Sequence, residues 1–77
     1  MQLSMLKIGE ARQILKINEK DETKRFLGNL GFTEGSFVTV VSVIAGNMIV
    51  MIKDARVALD KSMANRIIVW ISSDSIL

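Results

Sequence analysis

The chain has 77 residues, and 49% of them are hydrophobic, which suits a single small domain with a dense core. Ten lysines and arginines against eight aspartates and glutamates leave a net charge of +2, too small for charge alone to indicate a polyanionic partner. Because the sequence contains neither cysteine nor histidine, disulfides and zinc sites built from thiolate or imidazole ligands are excluded.

The sequence shows no targeting or membrane-spanning segment. Residues 1–9 lack the positively charged start and long apolar stretch of a secretory signal peptide. The apolar run at residues 48–52 is far shorter than the ~18–20 residues that a membrane-spanning helix requires. We therefore expect a cytoplasmic protein that forms one domain over residues 1–77.

The first half of the chain predicts a strand followed by a helix. Residues 12–17 are rich in β-forming side chains and indicate the first strand. Asp21 is the expected N-cap of a helix over residues 22–30, whose apolar stripe consists of Phe26, Leu27 and Leu30. Gly31 follows the last apolar position, where a left-handed residue commonly ends a helix.

The second half predicts four more strands. Residues 36–45 and 48–52 are apolar and β-branched, and Gly46-Asn47 between them indicates a hairpin turn. A polar turn at residues 53–56 leads to a strand at 57–59. A helical turn at residues 60–64, capped by Asp60 and left through Asn65, precedes the last strand at 66–71. Residues 72–77 are expected to form a frayed tail.

These elements predict a mainly β, small α+β fold. Five short strands bury their apolar faces best by curling into a partly open barrel, with one helix inserted after the first strand and a helical turn before the last. The alternative arrangement is a two-layer roll with the helix across one end.

Few residues suggest a chemical site. Glu19, Asp21 and Glu22 come closest to a carboxylate cluster and are weak candidates for an Fe²⁺ or Mg²⁺ site. The alternative, a solvated helix N-terminus, explains the same residues. The sequence also lacks histidine for proton transfer and the spacing of a phosphate-binding loop. We therefore expect no enzymatic activity.

Recognition of another protein is the remaining class of function. The candidate contact residues are Leu27, Phe32, Glu34, Asn47 and Met48, which lie on the helix, in the loop after it and at the hairpin. For Phe32 and Met48 the alternative is packing against the rim of the barrel.

Nucleic-acid binding is an alternative function, which we do not expect. A modest basic face could form from Lys16, Lys20, Lys24 and Arg25. The aromatic residues Phe26, Phe37 and Trp70, however, are better explained as core residues than as surfaces on which bases stack.

Short segments from residue 3 to residue 69 form an ordered set. The set begins with LSMLKIGE at 3–10, is most distinctive in RFLGNLGFTEG at 25–35, and continues through 38–40, 57–59 and 67–69. The central segment is similar to an arginine- and leucine-containing pattern that ends in L-G-x-x-x-G. Together these segments resemble the ferrous iron transport protein A (FeoA) family.

The resemblance implies a fold, a process and a partner. The implied fold is an SH3-like five-stranded partly open barrel, in agreement with the pattern of elements. The implied role is that of a cytoplasmic accessory or adaptor in bacterial ferrous iron uptake. Its partner would be FeoB, a membrane permease with a cytosolic G domain, which could recruit the protein to the inner face of the membrane. Binding of Fe²⁺ or another transition metal is implied by the family alone, so a weak metal-binding regulatory domain is a further alternative.

Overall fold

The computed structural model describes residues 1–71, and within them the chain forms five strands and two α-helices. The elements follow in the order β1 (Ala11–Ile17), α1 (Asp21–Asn29), β2 (Phe37–Ile44), β3 (Asn47–Ile52), β4 (Ala55–Leu59), α2 (Lys61–Arg66) and β5 (Ile67–Val69). A single 3-10 turn, Leu3–Met5, precedes β1. The expected tail at residues 72–77 lies outside the described residues.

The strands form an antiparallel sheet in the order β4-β3-β2-β1-β5. Strand β1 bends the sheet, because its first half pairs with β2 and its second half pairs with β5, with an irregularity between Ile14 and Lys16. One face of the curled sheet encloses the core. The buried side chains of the core are Leu3, Leu6, Ile14, Ile17, Leu27, Phe32, Val38, Val40, Met48, Val50, Ile52, Leu59, Ala64, Ile67 and Val69. The predicted barrel architecture is therefore confirmed.

Helix α1 begins one residue earlier than predicted, and its N-cap is Lys20 rather than Asp21. Lys20 has extended backbone angles and provides no side-chain cap, while Asp21 and Glu22 lie in the first turn. Carboxylates there interact favourably with the exposed N–H groups and the positive end of the helix dipole. Asp21 thus stabilises the helix from within its first turn, without accepting a capping hydrogen bond.

Gly31 has the predicted left-handed conformation after α1, although the helix ends one residue earlier than predicted, at Asn29, with Leu30 as its C-cap. The φ of +109° at Gly31 turns the chain back on itself. The N–H of Gly31 donates to the carbonyl of Gly28 (3.0 Å), and the N–H of Phe32 donates to the carbonyl of Leu27 (2.9 Å). These two bonds define a Schellman motif, which satisfies helix-end carbonyls and directs the next apolar residue toward the helix. Phe32 is consequently placed in the core.

The first hairpin turn is displaced by one residue from its predicted position. Ile44 pairs with Asn47, so the two loop residues are Ala45 and Gly46, with φ of +51° and +82°. Positive φ at both positions is the conformation of a type I′ turn, which matches the twist of the flanking strands. Asn47 is therefore the first residue of β3 and not a turn residue.

Helix α2 is capped as predicted but is longer than one turn. Asp60 Oδ1 accepts a hydrogen bond from the N–H of Met63 (2.8 Å). Asn65, expected to leave the helix with a left-handed conformation, instead continues it and accepts a hydrogen bond from the Ser4 hydroxyl. The contact ties α2 to the 3-10 turn, and β5 begins only at Ile67.

Candidate partner-binding surface

Three of the five predicted contact residues lie in the core. Leu27 and Phe32 are each 1% exposed, and Met48 is 7% exposed. Leu27 is the residue by which α1 packs on the barrel, Phe32 is turned inward by the Schellman motif, and Met48 faces inward on β3. These three side chains are therefore core residues rather than exposed anchors. For Phe32 and Met48 this agrees with the packing alternative.

The other two predicted contact residues are exposed but belong to different regions. Glu34 lies in the loop before β2, and Asn47 lies beyond the opposite end of that strand. An eight-residue strand separates its ends by about 25 Å. The structure therefore does not bring the predicted contact residues together into one surface.

The acidic candidates for a cation site are engaged or dispersed. The Glu19 carboxylate accepts hydrogen bonds from the N–H of Lys20 (3.1 Å) and from Arg66 Nη1 (2.7 Å). The bond from Lys20, followed by the bond and charge of Arg66, lowers the pKa of Glu19 below its usual value. Asp21 and Glu22 point into solvent, and residues 1–71 contain no group of three acidic side chains that could hold a metal ion.

The aromatic residues expected in the core are largely on the surface. Phe26 is 60% exposed, Phe37 is 54% exposed, and Trp70 is also exposed. Because side chains alternate along a strand, the burial of Val38 and Val40 places Phe37 on the outer face of β2. Trp70 is outward for the same reason, since it follows the buried Val69. The core assignment of these residues is therefore wrong.

Phe26 belongs to an apolar groove between helix α1 and strand β4. We call this the α1–β4 groove. Its cavity has a volume of about 280 Å³. The groove is lined by Phe26, Leu27 and Leu30 of the α1 region, by Val57, Ala58 and Leu59 of β4, and by Asp60 and Met63 of α2. Leu27 and Leu59 form its buried floor, whereas Phe26 stands at its open side. The groove therefore offers exposed apolar surface beside the edge of the sheet.

Two further concavities lie elsewhere on the domain. One, of about 260 Å³, is formed near the first hairpin by Ser4, Leu6, Val43, Gly46, Met48, Lys61 and Ala64. The other, of about 430 Å³, is an open depression on the outer face of β2 and β3 next to Phe37. Neither depression lies against an edge strand of the sheet, so the α1–β4 groove is the strongest candidate for a recognition surface.

The sequence pattern alone did not identify this groove. The stripe of Phe26, Leu27 and Leu30 correctly marks the face of α1 that approaches the sheet. It does not show that a nine-residue helix needs only Leu27 to dock, which leaves Phe26 free at the rim. The only signal in the sequence is the width of the stripe: three large apolar residues on a nine-residue helix are more than a small barrel needs to cover, and the one left uncovered is a candidate anchor.

Comparisons with known proteins identify the family. The model of the FeoA domain matches residues 1–70. No curated protein matches the chain significantly. Within the described part of the chain, no helix has both the length and the apolar character needed to cross a membrane.

Solved structures share the fold over almost the whole chain. FeoA of Stenotrophomonas maltophilia, solved in complex with zinc, is 28% identical and superposes with a TM-score of 0.85 over 95% of this chain and 93% of that one. It is described as a prokaryotic SH3 domain protein and a candidate activating factor of ferrous iron transport. The iron(II) transport protein A of Clostridium thermocellum is 27% identical, with a TM-score of 0.83 over 90% of this chain and 44% of that one.

A manganese-dependent transcriptional repressor in complex with manganese is also similar. It is 26% identical with a TM-score of 0.80, and the match covers 91% of this chain but 35% of the repressor. The same SH3-like barrel thus occurs alone and as one part of longer proteins. Since the family model covers nearly all of the chain and the barrel superposes on FeoA along almost its full length, the chain belongs to the FeoA domain family.

Proposed function

We propose that this domain is a non-catalytic accessory of ferrous iron uptake that acts by binding a cytosolic part of an FeoB-type iron permease. The observation that carries the proposal is the match of the FeoA domain model to residues 1–70. The relative from Stenotrophomonas maltophilia, described as a candidate activating factor of the transport process, supports the accessory role.

The surface of the domain is suited to contact with another protein. The α1–β4 groove combines a buried apolar floor with Phe26, whose ring is mostly exposed. Aromatic side chains at the rim of an apolar groove are typical anchors of protein interfaces, because they bury a large area at a small cost in side-chain entropy. Docking there would bias the conformation of the permease through differential binding, without any reaction on the domain itself.

A zinc-type site does not fit the residues of this chain. The zinc-bound relative raises the question, but this sequence offers neither histidine nor cysteine as a ligand. In the region described, Glu19 is already paired with Arg66, and no three acidic side chains converge. The proposed mechanism therefore includes no step in which this domain binds a metal ion.

Titration of the isotope-labelled domain with the permease's cytosolic G domain tests the proposal. We expect localised changes in amide chemical shifts as the G domain is added. The experiment is repeated with GDP and with a GTP analogue, which shows whether one nucleotide state is preferred. A soluble GTPase unrelated to the permease is the control. Absence of shift changes at millimolar concentration in both nucleotide states would refute the docking role.

A further inference from the structure

The two edge strands of the sheet, β5 and β4, differ in whether another segment pairs with their outer edges. The outer edge of β5 is covered by the start of the chain: the N–H of Val69 donates to the Met1 carbonyl (2.7 Å), the Met1 amine donates to the Val69 carbonyl (2.8 Å), and Gln2 pairs with Ile68. Within residues 1–71, no strand pairs with the outer edge of β4. An uncovered edge strand is a template for pairing with another chain.

The register identifies which backbone groups of β4 face outward. Ile52 and Ala55 close a two-residue turn, so they form a hydrogen-bonded pair, and such pairs alternate along an antiparallel ladder. Val57 and Leu59 therefore bond to β3, while the N–H and carbonyl groups of Arg56 and Ala58 point away from the sheet. Among the described residues, no backbone hydrogen bond outside the strand ladders involves Arg56 or Ala58.

The open edge and the α1–β4 groove are adjacent. Val57, Ala58 and Leu59 belong both to the edge strand and to the lining of the groove, and Phe26 and Leu30 form the opposite wall. A strand added to β4 would place every second side chain on the inner face, above this apolar cavity. The unpaired backbone groups would supply hydrogen bonds, and the groove would select apolar side chains at alternate positions.

The size of the surface distinguishes between a second copy of the chain and an extended segment. A five-residue strand is about 17 Å long, and layers that pack face to face on a sheet lie about 10 Å from it, which we take as the width of the surface beside β4. The resulting footprint, on the order of 200 Å², is far smaller than the ~800 Å² per partner that a standard stable interface buries. One extended segment of a larger partner fits this surface better than an identical domain.

We infer that β4 and helix α1 form a receptor for one extended segment of a partner protein, which joins the sheet as a sixth strand and places apolar side chains at alternate positions in the α1–β4 groove. This inference deepens the proposed function, on which it rests for the identity of the partner. The backbone groups of Arg56 and Ala58 make the hydrogen bonds to this segment, and Phe26 makes the principal apolar contact with it.

Matched variants test the two components of the receptor. Phe26→Ala removes the exposed groove aromatic and should weaken binding about tenfold, while Phe37→Ala, a similarly exposed aromatic on the outer face, should leave binding unchanged. Ala58→Pro removes one outward N–H and no bond to β3, since proline is tolerated at such edge positions. It should weaken binding about threefold to tenfold.

Two probes separate this inference from the proposed function. The first is the permease's cytosolic G domain. The second is a synthetic acetylated peptide with alternating apolar residues, Lys-Val-Thr-Val-Thr-Val-Lys, compared with Lys-Thr-Thr-Val-Val-Val-Lys of the same composition. The expected result is a downfield shift of the Arg56 and Ala58 amides with the G domain and with the alternating peptide, but not with the scrambled one.

Four other results would overturn one proposal or both. Shifts with the G domain that leave Arg56 and Ala58 unchanged, and that persist in Phe26→Ala, would overturn the inference and retain the proposed function. Shifts with the alternating peptide alone would retain the receptor and overturn the permease as its partner. Shifts of these amides on concentrating the chain alone would show that a second copy occupies the edge. If neither probe binds, both proposals fail.

Discussion

Replacing Gly31 with alanine should destabilise the domain, whereas the same change at Gly28 should stabilise it. At Gly31 the φ of +109° lies outside the range that alanine adopts comfortably, and a Cβ would lie 3.3 Å from Cγ1 of Ile52. Ile52 is fully buried, so its side chain has little room to move. At Gly28, a helical position, a Cβ would meet only the Thr33 methyl at 3.9 Å.

The expected magnitudes follow from these two environments. A left-handed conformation costs a non-glycine residue about 1–2 kcal/mol, and crowding in a packed core adds about 1 kcal/mol or more. Alanine also lowers the conformational entropy of the unfolded chain relative to glycine, which stabilises the folded state by about 0.4–1 kcal/mol. We therefore expect Gly31→Ala to lower the free energy of unfolding by about 2 kcal/mol. Gly28→Ala should raise it by about 0.5–1 kcal/mol, because alanine is the better helix former.

Urea denaturation followed by circular dichroism measures both changes. Each variant should shift the midpoint while leaving the dependence on denaturant concentration unchanged, which shows that the unfolded state is comparable. The reasoning would be refuted if Gly31→Ala were as stable as the wild type, or if Gly28→Ala were destabilised to the same extent.

Three further predictions concern local features. Ala45→Asn should raise the free energy of unfolding by about 0.5–1 kcal/mol, because asparagine tolerates the positive φ better; an unchanged thermal midpoint would contradict this. Asp60→Ala should cost about 1 kcal/mol through loss of the cap of α2, and Asp60→Asn should recover most of it in the same urea assay. Folding lowers the pKa of the Glu19 carboxyl from its ordinary value of about 4.5. The ionised carboxylate therefore stabilises the fold above about pH 4.5, and this stabilisation is lost as the pH falls through the folded-state pKa. Glu19→Gln should therefore reduce the loss of stability between pH 6 and pH 3. Arg66→Met should reduce this loss less, because the hydrogen bond from the N–H of Lys20 lowers the pKa of Glu19 more than Arg66 does. Equal effects of the two variants would contradict that order.

Local signals in the sequence predicted much of the fold. Gly31 and Asp60 mark helix boundaries because each has a conformational or hydrogen-bonding role that few residues can fill. The position of the first hairpin turn was less certain, since Gly46 can form a turn with either neighbour. The pairing of Val43 with Met48, which depends on the whole sheet, selects Ala45 and Gly46 as the loop.

The surface was harder to predict than the fold. Strand β2 is apolar on both faces, so its alternation does not show whether Phe37 or Val38 points inward. In α1 the apolar stripe does not show how many of its members the small barrel can cover. The pairing of Met1 and Gln2 with β5 has no local signal at all, because it depends on contacts between opposite ends of the described chain. The open edge of β4 became apparent only once both edges were known.

The division of β1 between two partners has a consequence for the order of folding. Strands β2, β3 and β4 are joined by two-residue turns, so their pairing closes only short loops and should form early. Pairing of β1 with the three-residue strand β5 joins segments from opposite ends of the sequence and carries the larger loop-closure cost. Amide hydrogens of β5 should therefore exchange with solvent through partial opening, while those of the β2–β3 hairpin exchange only when the whole domain unfolds.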